Sequence, residues 1–348
     1  MPILDRNNAE EMKRYKDFIE HHPNRSLLQD PAWTEVKDDW GSEFVYLEDE
    51  DGKIIAGMTI LIRTIKGGFS LLYASRGPVS DFEDIEVTKR LIAECEPIAK
   101  KYKAFALRMD PEVPYTKDLS DRYQQAGFSV RNEGYDFDDL IQPRMNIILY
   151  LDGYDEESIM SRFKGTTRTA IRKAEREGVY TTWARSDEYI DKFFEIHTFM
   201  AQRNEITHRS IQYFYGLRDA LSDRLRVYLV HHEDDILAAS ITINYFGKMY
   251  YLYAGSNDTK RSLMPNQKMI YDTLKWGFEE GATQFDFGGV KALDNSDGLY
   301  QFKKHFAYKD EPAVYIGEVD HVYKPFLYTL FTKGVPMLRK WRKTFRRD

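Results

Sequence analysis

Cysteine is almost absent from this sequence: Cys95 stands alone among 348 residues. A single thiol excludes an internal disulfide and any CxxC zinc or redox pair. No apolar run approaches the ~18 residues of a membrane span, so no transmembrane helix is expected. The opening MPILDRNNAEEMKRY has no apolar stretch of the signal-peptide kind. A cytoplasmic protein is therefore expected. The eight histidines are scattered, apart from His21-His22 and His231-His232. None shares a metal-ligand spacing with other histidines or carboxylates, and no metal is expected. There is also no GxxxxGK[ST] phosphate loop, so ATP is not split here.

What is present reads as a folded protein. The chain is 42% hydrophobic, 30% charged and 14% aromatic, outside the range of disordered segments. Its length predicts two domains. The net charge of −6 is uneven: Lys324 to Asp348 carry eight basic residues and one acid. The rest has 42 basic against 55 acidic residues, a net of −13. Such a body argues against a bulk duplex-DNA binder.

Two stretches repeat one order of elements. Val45–Glu48, Ile54–Ile62 and Phe69–Tyr73 read as strands. Helical spacing follows over Val87–Lys101, then a strand at Ala104–Met109. Arg226–His231, Ile236–Ile243 and Met249–Tyr253 repeat the strands, Pro265–Glu280 the helix and Gln284–Phe287 the closing strand. A hairpin, a helix and a returning strand, twice over, predict two copies of one mixed α/β domain. That order resembles acetyltransferase-like (GNAT) folds. Their Gly-rich coenzyme A loop is missing from both Arg76-Gly-Pro-Val-Ser-Asp81 and Gly255–Pro265. Acyl-CoA is thus not the expected donor, and no cofactor is expected.

Several strings make the reading more specific. They are Gln29-Asp30 with Trp33 and Lys37, Tyr73-Ala-Ser-Arg-Gly-Pro78, Leu107-Arg-Met-Asp-Pro-Glu-Val113 and Ile141-Gln-Pro-Arg144. Further on come Ile206-Thr-His-Arg209 with Tyr213-Phe214, Tyr251-Leu-Tyr-Ala-Gly-Ser256, Asp286-Phe-Gly-Gly289, Leu299-Tyr-Gln-Phe-Lys303 and Tyr315-Ile-Gly-Glu318. In this order the chain resembles the Fem-type (FemABX) peptidoglycan bridge aminoacyltransferases, over about Gln29 to Asp320. The resemblance implies two tandem GNAT-like domains, one over 1–145 completed by 318–348, the other over 146–317. No long heptad insertion is present, so the form without a coiled-coil arm is expected. The implied donor is aminoacyl-tRNA. The implied acceptor is the stem-peptide lysine of UDP-MurNAc-pentapeptide or of its lipid-linked form, another peptide or amine being the alternative. A non-catalytic tRNA- or precursor-binding scaffold is the alternative outside enzymes.

The resemblance also implies roles. Lys37, four residues after Trp33, and Arg209 would hold the acceptor's diphosphate, as ammonium and guanidinium suit phosphate oxygens. Tyr213, Tyr251, Tyr253 and Arg76 would line the acceptor's path. Tyr251 and Tyr253 alternate with Leu252, which predicts that they share one face of a strand. Asp110, at a strand end before Pro111, would orient the amine or take its proton, although an ordinary carboxylate is a weak base. Lys303 would stabilise the tetrahedral oxyanion, with Phe302 lining the site. Transfer is expected to be direct, without a covalent acyl-enzyme. From the residues alone, the same positions also read as solvated lysines, core tyrosines and a turn aspartate.

Lys164, Arg168, Arg172 and Arg176 recur every four residues, which on one helix makes a cationic stripe suited to tRNA phosphates. A plain solvated helix face is the alternative. The tail from Phe326 to Arg347 mixes aromatic and aliphatic residues with Lys and Arg. It suits peripheral contact with an anionic bilayer, the alternatives being tRNA contact or a helix docked on the first domain. Cys95 is expected in the core, and the protein is expected to be a monomer.

Overall fold

In a computed structural model, which describes residues 3–37 and 39–334, the chain forms two compact units. The first runs to Gln142 and resumes at Tyr315; the second is Pro143–Val314. The expected handovers at 145 and 317 thus fall slightly earlier. The tail from 335 onward lies outside the described residues.

In chain order the first unit has helices α1 (Ala9–His21) and α2 (Trp33–Val36), then strands β1 (Gly41–Glu48), β2 (Ile54–Thr64) and β3 (Ser70–Ala74). Next come α3 (Ile85–Ala93), α4 (Glu96–Lys101), β4 (Ala104–Met109), α5 (Lys117–Gln125) and β5 (Ser129–Arg131). The second unit begins with β6 (Met145–Tyr150), α6 (Gly165–Arg176), β7 (Tyr180–Ala184), α7 (Asp187–Arg203) and α8 (Ile211–Leu221). It continues with β8 (Leu225–His232), β9 (Asp235–Tyr245), β10 (Lys248–Ser256) and α9 (Pro265–Glu279). It closes with β11 (Gln284–Gly289), α10 (Gly298–Lys304) and β12 (Ala313–Val314). The chain then returns to the first unit with β13 (Glu318–Val322) and α11 (Pro325–Thr329).

Each unit is one mixed sheet. The first is ordered β1-β2-β3-β4-β13-β5, the second β12-β6-β11-β10-β9-β8-β7. In each, an antiparallel three-strand meander is followed by a helical crossover to a parallel neighbour, β3 to β4 and β10 to β11. This is the repeat predicted from the sequence. β2 is buried along nearly its whole length because both faces are covered. Ala56, Met58, Ile60 and Ile62 join Leu91, Ile92 and Cys95 in one core. Gly57 and Thr59 face α1 instead, where the Tyr15 hydroxyl meets Thr59 Oγ1 at 2.9 Å.

The continuous helix predicted over Val87–Lys101 is two helices. It breaks at Glu94-Cys95, and Pro97 sits in the first turn of α4, where its missing N–H costs nothing. Cys95, at this junction, is fully buried.

β13 inserts between β4 and β5, and the insertion is held by buried charge. Arg108 on β4 makes a two-pronged bond to Asp320, at 2.8 and 2.7 Å, and meets Glu318 at 2.9 Å. Arg131 on β5 meets the same Glu318 oxygen at 2.9 Å. α11 lies against β4, with the Tyr328 hydroxyl donating to Asp320 at 2.7 Å, and Phe331 just after the helix packs on Phe105. The described part of the tail is therefore docked on the first unit. Phe326 (80% exposed) and Leu330 (52% exposed) still face outward.

Candidate active site

The first cluster grows from the ends of β3 and β4. Asp110 follows β4 directly and is buried. Its Oδ2 accepts the Tyr73 hydroxyl at 2.7 Å, and its Oδ1 accepts the backbone N–H of Arg76 at 2.6 Å. That N–H reaches it because Arg76 adopts a left-handed φ of 52°. The loop is braced by Gln29, whose side-chain amide bonds Ser75 O at 2.8 Å, Thr59 O at 3.2 Å and Thr59 N at 2.9 Å. A Cβ on Gly77 would stand 2.4 Å from that amide, so only glycine fits. Burial raises the Asp110 pKa to about 7, against the lowering effects of Arg76 and the Tyr73 hydrogen bond. The sequence predicts a weak base here; desolvation makes Asp110 a moderate one.

The Arg76 guanidinium, expected to line the acceptor's path, lies buried with Nε 3.8 Å from Glu112 and over the Tyr315 ring at 5.0 Å. The contribution of Arg76 to Asp110 is a backbone donor and a nearby charge. Lys37, also in the first unit, closes α2 as its C-cap, half-buried, with Nζ 5.4 Å from the Trp33 ring centre.

The second cluster lies in the second unit. Lys303, near the end of α10, is 8% exposed, and its Nζ donates to Gly289 O at 2.9 Å. The loop after β11 brings that carbonyl in, with Asp286 accepting from Gly288 N at 2.7 Å and from Asn146 at 2.9 Å. Asp297 caps α10, accepting from Leu299 N at 2.8 Å. Burial lowers the Lys303 pKa to about 8, against the pull of Asp286 and Asp297. The ammonium therefore sits close to its titration point near neutral pH. Phe302 packs on Phe306, with ring centres 5.6 Å apart.

A third group forms where α7 and α8 cover the sheet. Exposed Arg209 stands just before α8, over the Tyr213 ring at 5.2 Å. The Tyr213 and Tyr253 hydroxyls meet at 3.0 Å. Tyr251 is not with them. The register slips between Tyr251 and Tyr253, a bulge that turns the two side chains to opposite faces. Tyr253 packs on Phe214 and His197, whereas Tyr251 packs on Phe285 and Phe287. Plain alternation predicts one shared face.

The cationic stripe also changes. α6 begins only at Gly165, so Lys164 is its N-cap and not a member of the helix face. The Lys164 ammonium lies 3.0 Å from His305 Nε2, and Arg168 turns back to Phe163 O at 2.6 Å. Arg172 and Arg176 are exposed, the latter 3.5 Å from Glu177. Sequence reasoning gives Tyr73 and Gln29 no role, although both stand inside the family strings. Tyr73 precedes a Ser-Arg-Gly-Pro turn, which is the available signal.

Among the described residues no helix is long and apolar enough to cross a membrane. The FemAB family pattern matches residues 11–234 and 230–333. The UDP-N-acetylmuramoylpentapeptide-lysine N(6)-alanyltransferase of Weissella viridescens is 34% identical over 338 residues, covering 96% of this chain and all of its own. A lipid II:glycine glycyltransferase of Staphylococcus haemolyticus is 28% identical, covering 93% of this chain and 94% of its own. A crystal structure of FemX superposes with a TM-score of 0.83 at 25% identity, over 92% of this chain and 98% of that one.

Proposed function

The chain belongs to the FemAB family, and from that membership we propose that it is a tRNA-dependent aminoacyltransferase acting on a peptidoglycan precursor. It moves an amino acid from aminoacyl-tRNA to the ε-amine of the stem-peptide lysine of UDP-MurNAc-pentapeptide, the first residue of an interpeptide bridge. The observation that carries this reading is the buried Lys303, an ammonium fixed by the Gly289 carbonyl and set close to Gly288 in the loop after β11. A preorganised cation in a dry setting suits the oxyanion of an ester under attack, an effect worth roughly 3–4 kcal/mol.

The lysine substrate must lose a proton before it attacks, because an ammonium has no lone pair. Asp110 takes that role: its pKa of about 7 brings it nearer to an amine than an ordinary carboxylate stands. The neutral amine then attacks the ester carbonyl and Lys303 bears the developing oxyanion; as the intermediate collapses, the ester C–O bond breaks and the tRNA 3′ oxygen leaves with the proton shed by the attacking nitrogen. Lys37, Arg209 and the Tyr213–Tyr253 pair bind the acceptor. The α6 cations, Arg172 and Arg176 foremost, take tRNA phosphates. The protein works in the cytoplasm as a monomer.

A second reading keeps the chemistry and changes the acceptor to the lipid-linked precursor. Two features favour it: outward-facing Phe326 and Leu330, and the basic sequence that follows them. Together they suit peripheral contact with an anionic membrane. One transfer assay separates the readings. Charged tRNAs are offered with soluble and lipid-linked acceptor in parallel, and products are read by mass spectrometry. Product on the soluble acceptor, with KM raised at least tenfold by Lys37→Met, supports the first. Product on the lipid form alone supports the second. Binding of both substrates with no product leaves only a scaffold.

A further inference from the structure

A separate cavity of about 470 Å³ lies in the second unit between α9 and the strands β7, at the sheet edge, and β8 beside it. β9 and β10 separate β8 from β11, whose loop holds Lys303. At strand spacing that is roughly 14 Å of sheet. The cavity is thus distinct from the transfer chemistry, and a ligand held in it would bind whether or not transfer takes place.

Three buried donors end here without an aligned acceptor on the protein: Arg226 Nε, the Tyr228 hydroxyl and Thr181 Oγ1. Tyr228 is 2% exposed, and its hydroxyl lies beside the Arg226 guanidinium. The guanidinium is clamped between two rings, 3.9 Å from Trp183 and 4.6 Å from Trp276. Ser240 and Thr242 on β9, the cross-strand neighbours of Tyr228 and Arg226, bury unbonded hydroxyls as well. Buried polar atoms are nearly always paired, so five of them in one patch of sheet point to a polar occupant. Arg226 Nε can only donate, and the two hydroxyls can donate alongside it, so an occupant that presents acceptor oxygens satisfies all three.

The charges of the lining narrow its nature. The ammonium of Lys268 is taken by Asp272 at 2.7 Å and that of Lys275 by Glu156 at 2.8 Å. Arg226 has only a 3.6 Å approach from Glu279, which is largely exposed. Three cations and three carboxylates line the space, so it is neutral overall. A doubly charged phosphate would meet those carboxylates, whereas a single carboxylate has its charge matched by Arg226 alone. An ammonium on the same small molecule would find Glu279 at the rim. We propose that this cavity binds a small zwitterion of the free α-amino-acid class, its carboxylate on Arg226, Tyr228 and Thr181 and its ammonium toward Glu279. The volume suits such a molecule and its hydration.

The test titrates the full chain with glycine, L-alanine and L-serine, and with acetate and inorganic phosphate as comparison probes. Calorimetry gives the affinity, and tryptophan emission reports on the Trp183–Arg226–Trp276 stack. Saturable binding of at least one amino acid, tighter than acetate, is expected. Tyr228→Phe and Thr181→Val should each weaken it at least tenfold. Each removes one oxygen or replaces it with a methyl, and either alone carries the test if the other fails to fold. The proposal is overturned if no amino acid binds saturably, if phosphate binds more tightly, or if the folded variants bind as the parent does.

Discussion

The Tyr73 hydroxyl and Asp110 form a 2.7 Å hydrogen bond inside the first unit, between two residues that the parallel pairing of β3 and β4 brings to one end of the sheet. Asp110 is thereby held in one orientation, with its second oxygen on the Arg76 N–H. Two donors favour the ionised carboxylate, yet burial outweighs them and the pKa stands at about 7.

Stability should therefore depend on this one carboxyl. An acid whose folded-state pKa is raised gives a contribution present at low pH and lost as pH rises through that value. For Asp110 the loss spans about pH 4 to 7 and reaches up to roughly 4 kcal/mol. Asp110→Asn keeps an acceptor for the Arg76 N–H, can offer its amide N–H to the Tyr73 oxygen and carries no charge. Thermal or denaturant unfolding should find it equal to the parent near pH 4 and more stable near pH 8. A parent that stays ahead at pH 8 would contradict the shift.

Activity should follow a narrow bell. Transfer by the proposed mechanism needs Asp110 ionised and Lys303 protonated. The acid limb of kcat/KM then falls near pH 7 and the alkaline limb near pH 8. Tyr73→Phe removes a donor to the ionised carboxylate, so the acid limb should move upward while the alkaline limb stays. A merely structural Tyr73 would lower activity equally at every pH.

Lys303→Met deletes the ammonium and keeps much of the stem. A drop of about 100- to 1000-fold in kcat is expected, with KM for the acceptor little changed. Lys303→Arg should recover part of the rate and remove the limb near pH 8, because a guanidinium does not titrate there. Steady-state kinetics on both variants would show it. A Met variant within threefold of the parent would exclude the oxyanion role.

The β13 insertion gives a prediction about folding. Arg108→Met leaves Glu318 and Asp320 buried with less of their positive partner. Breaking such a buried network from one side costs about 3–5 kcal/mol. Denaturant titration should show that loss. A change below 1 kcal/mol would mean that strand pairing alone holds β13.

The order of elements was legible because hairpin patterning and helical spacing are local properties, and they recur in both halves of the chain. Family strings likewise single out Asp110, Lys303, Arg209 and Tyr213, the residues proposed for the site. Where spacing failed, it did so for reasons outside its reach. A bulge in β10 parts Tyr251 from Tyr253, because one extra residue inverts the side-chain alternation. α6 starts a residue after Lys164, which sets that lysine on the cap instead of the stripe.

By itself the sequence determined the two mixed α/β units, the lone buried thiol and the residue types that the proposed chemistry needs. Tertiary structure alone decided their protonation. The same Asp and Lys are an ordinary acid and an ordinary base in water. Burial brings one to about 7 and the other to about 8, because a low-dielectric surround penalises whichever form carries charge. It also decided that Tyr73 and Arg76 would face Asp110, a meeting that chain separation conceals and the pairing of two parallel strands creates.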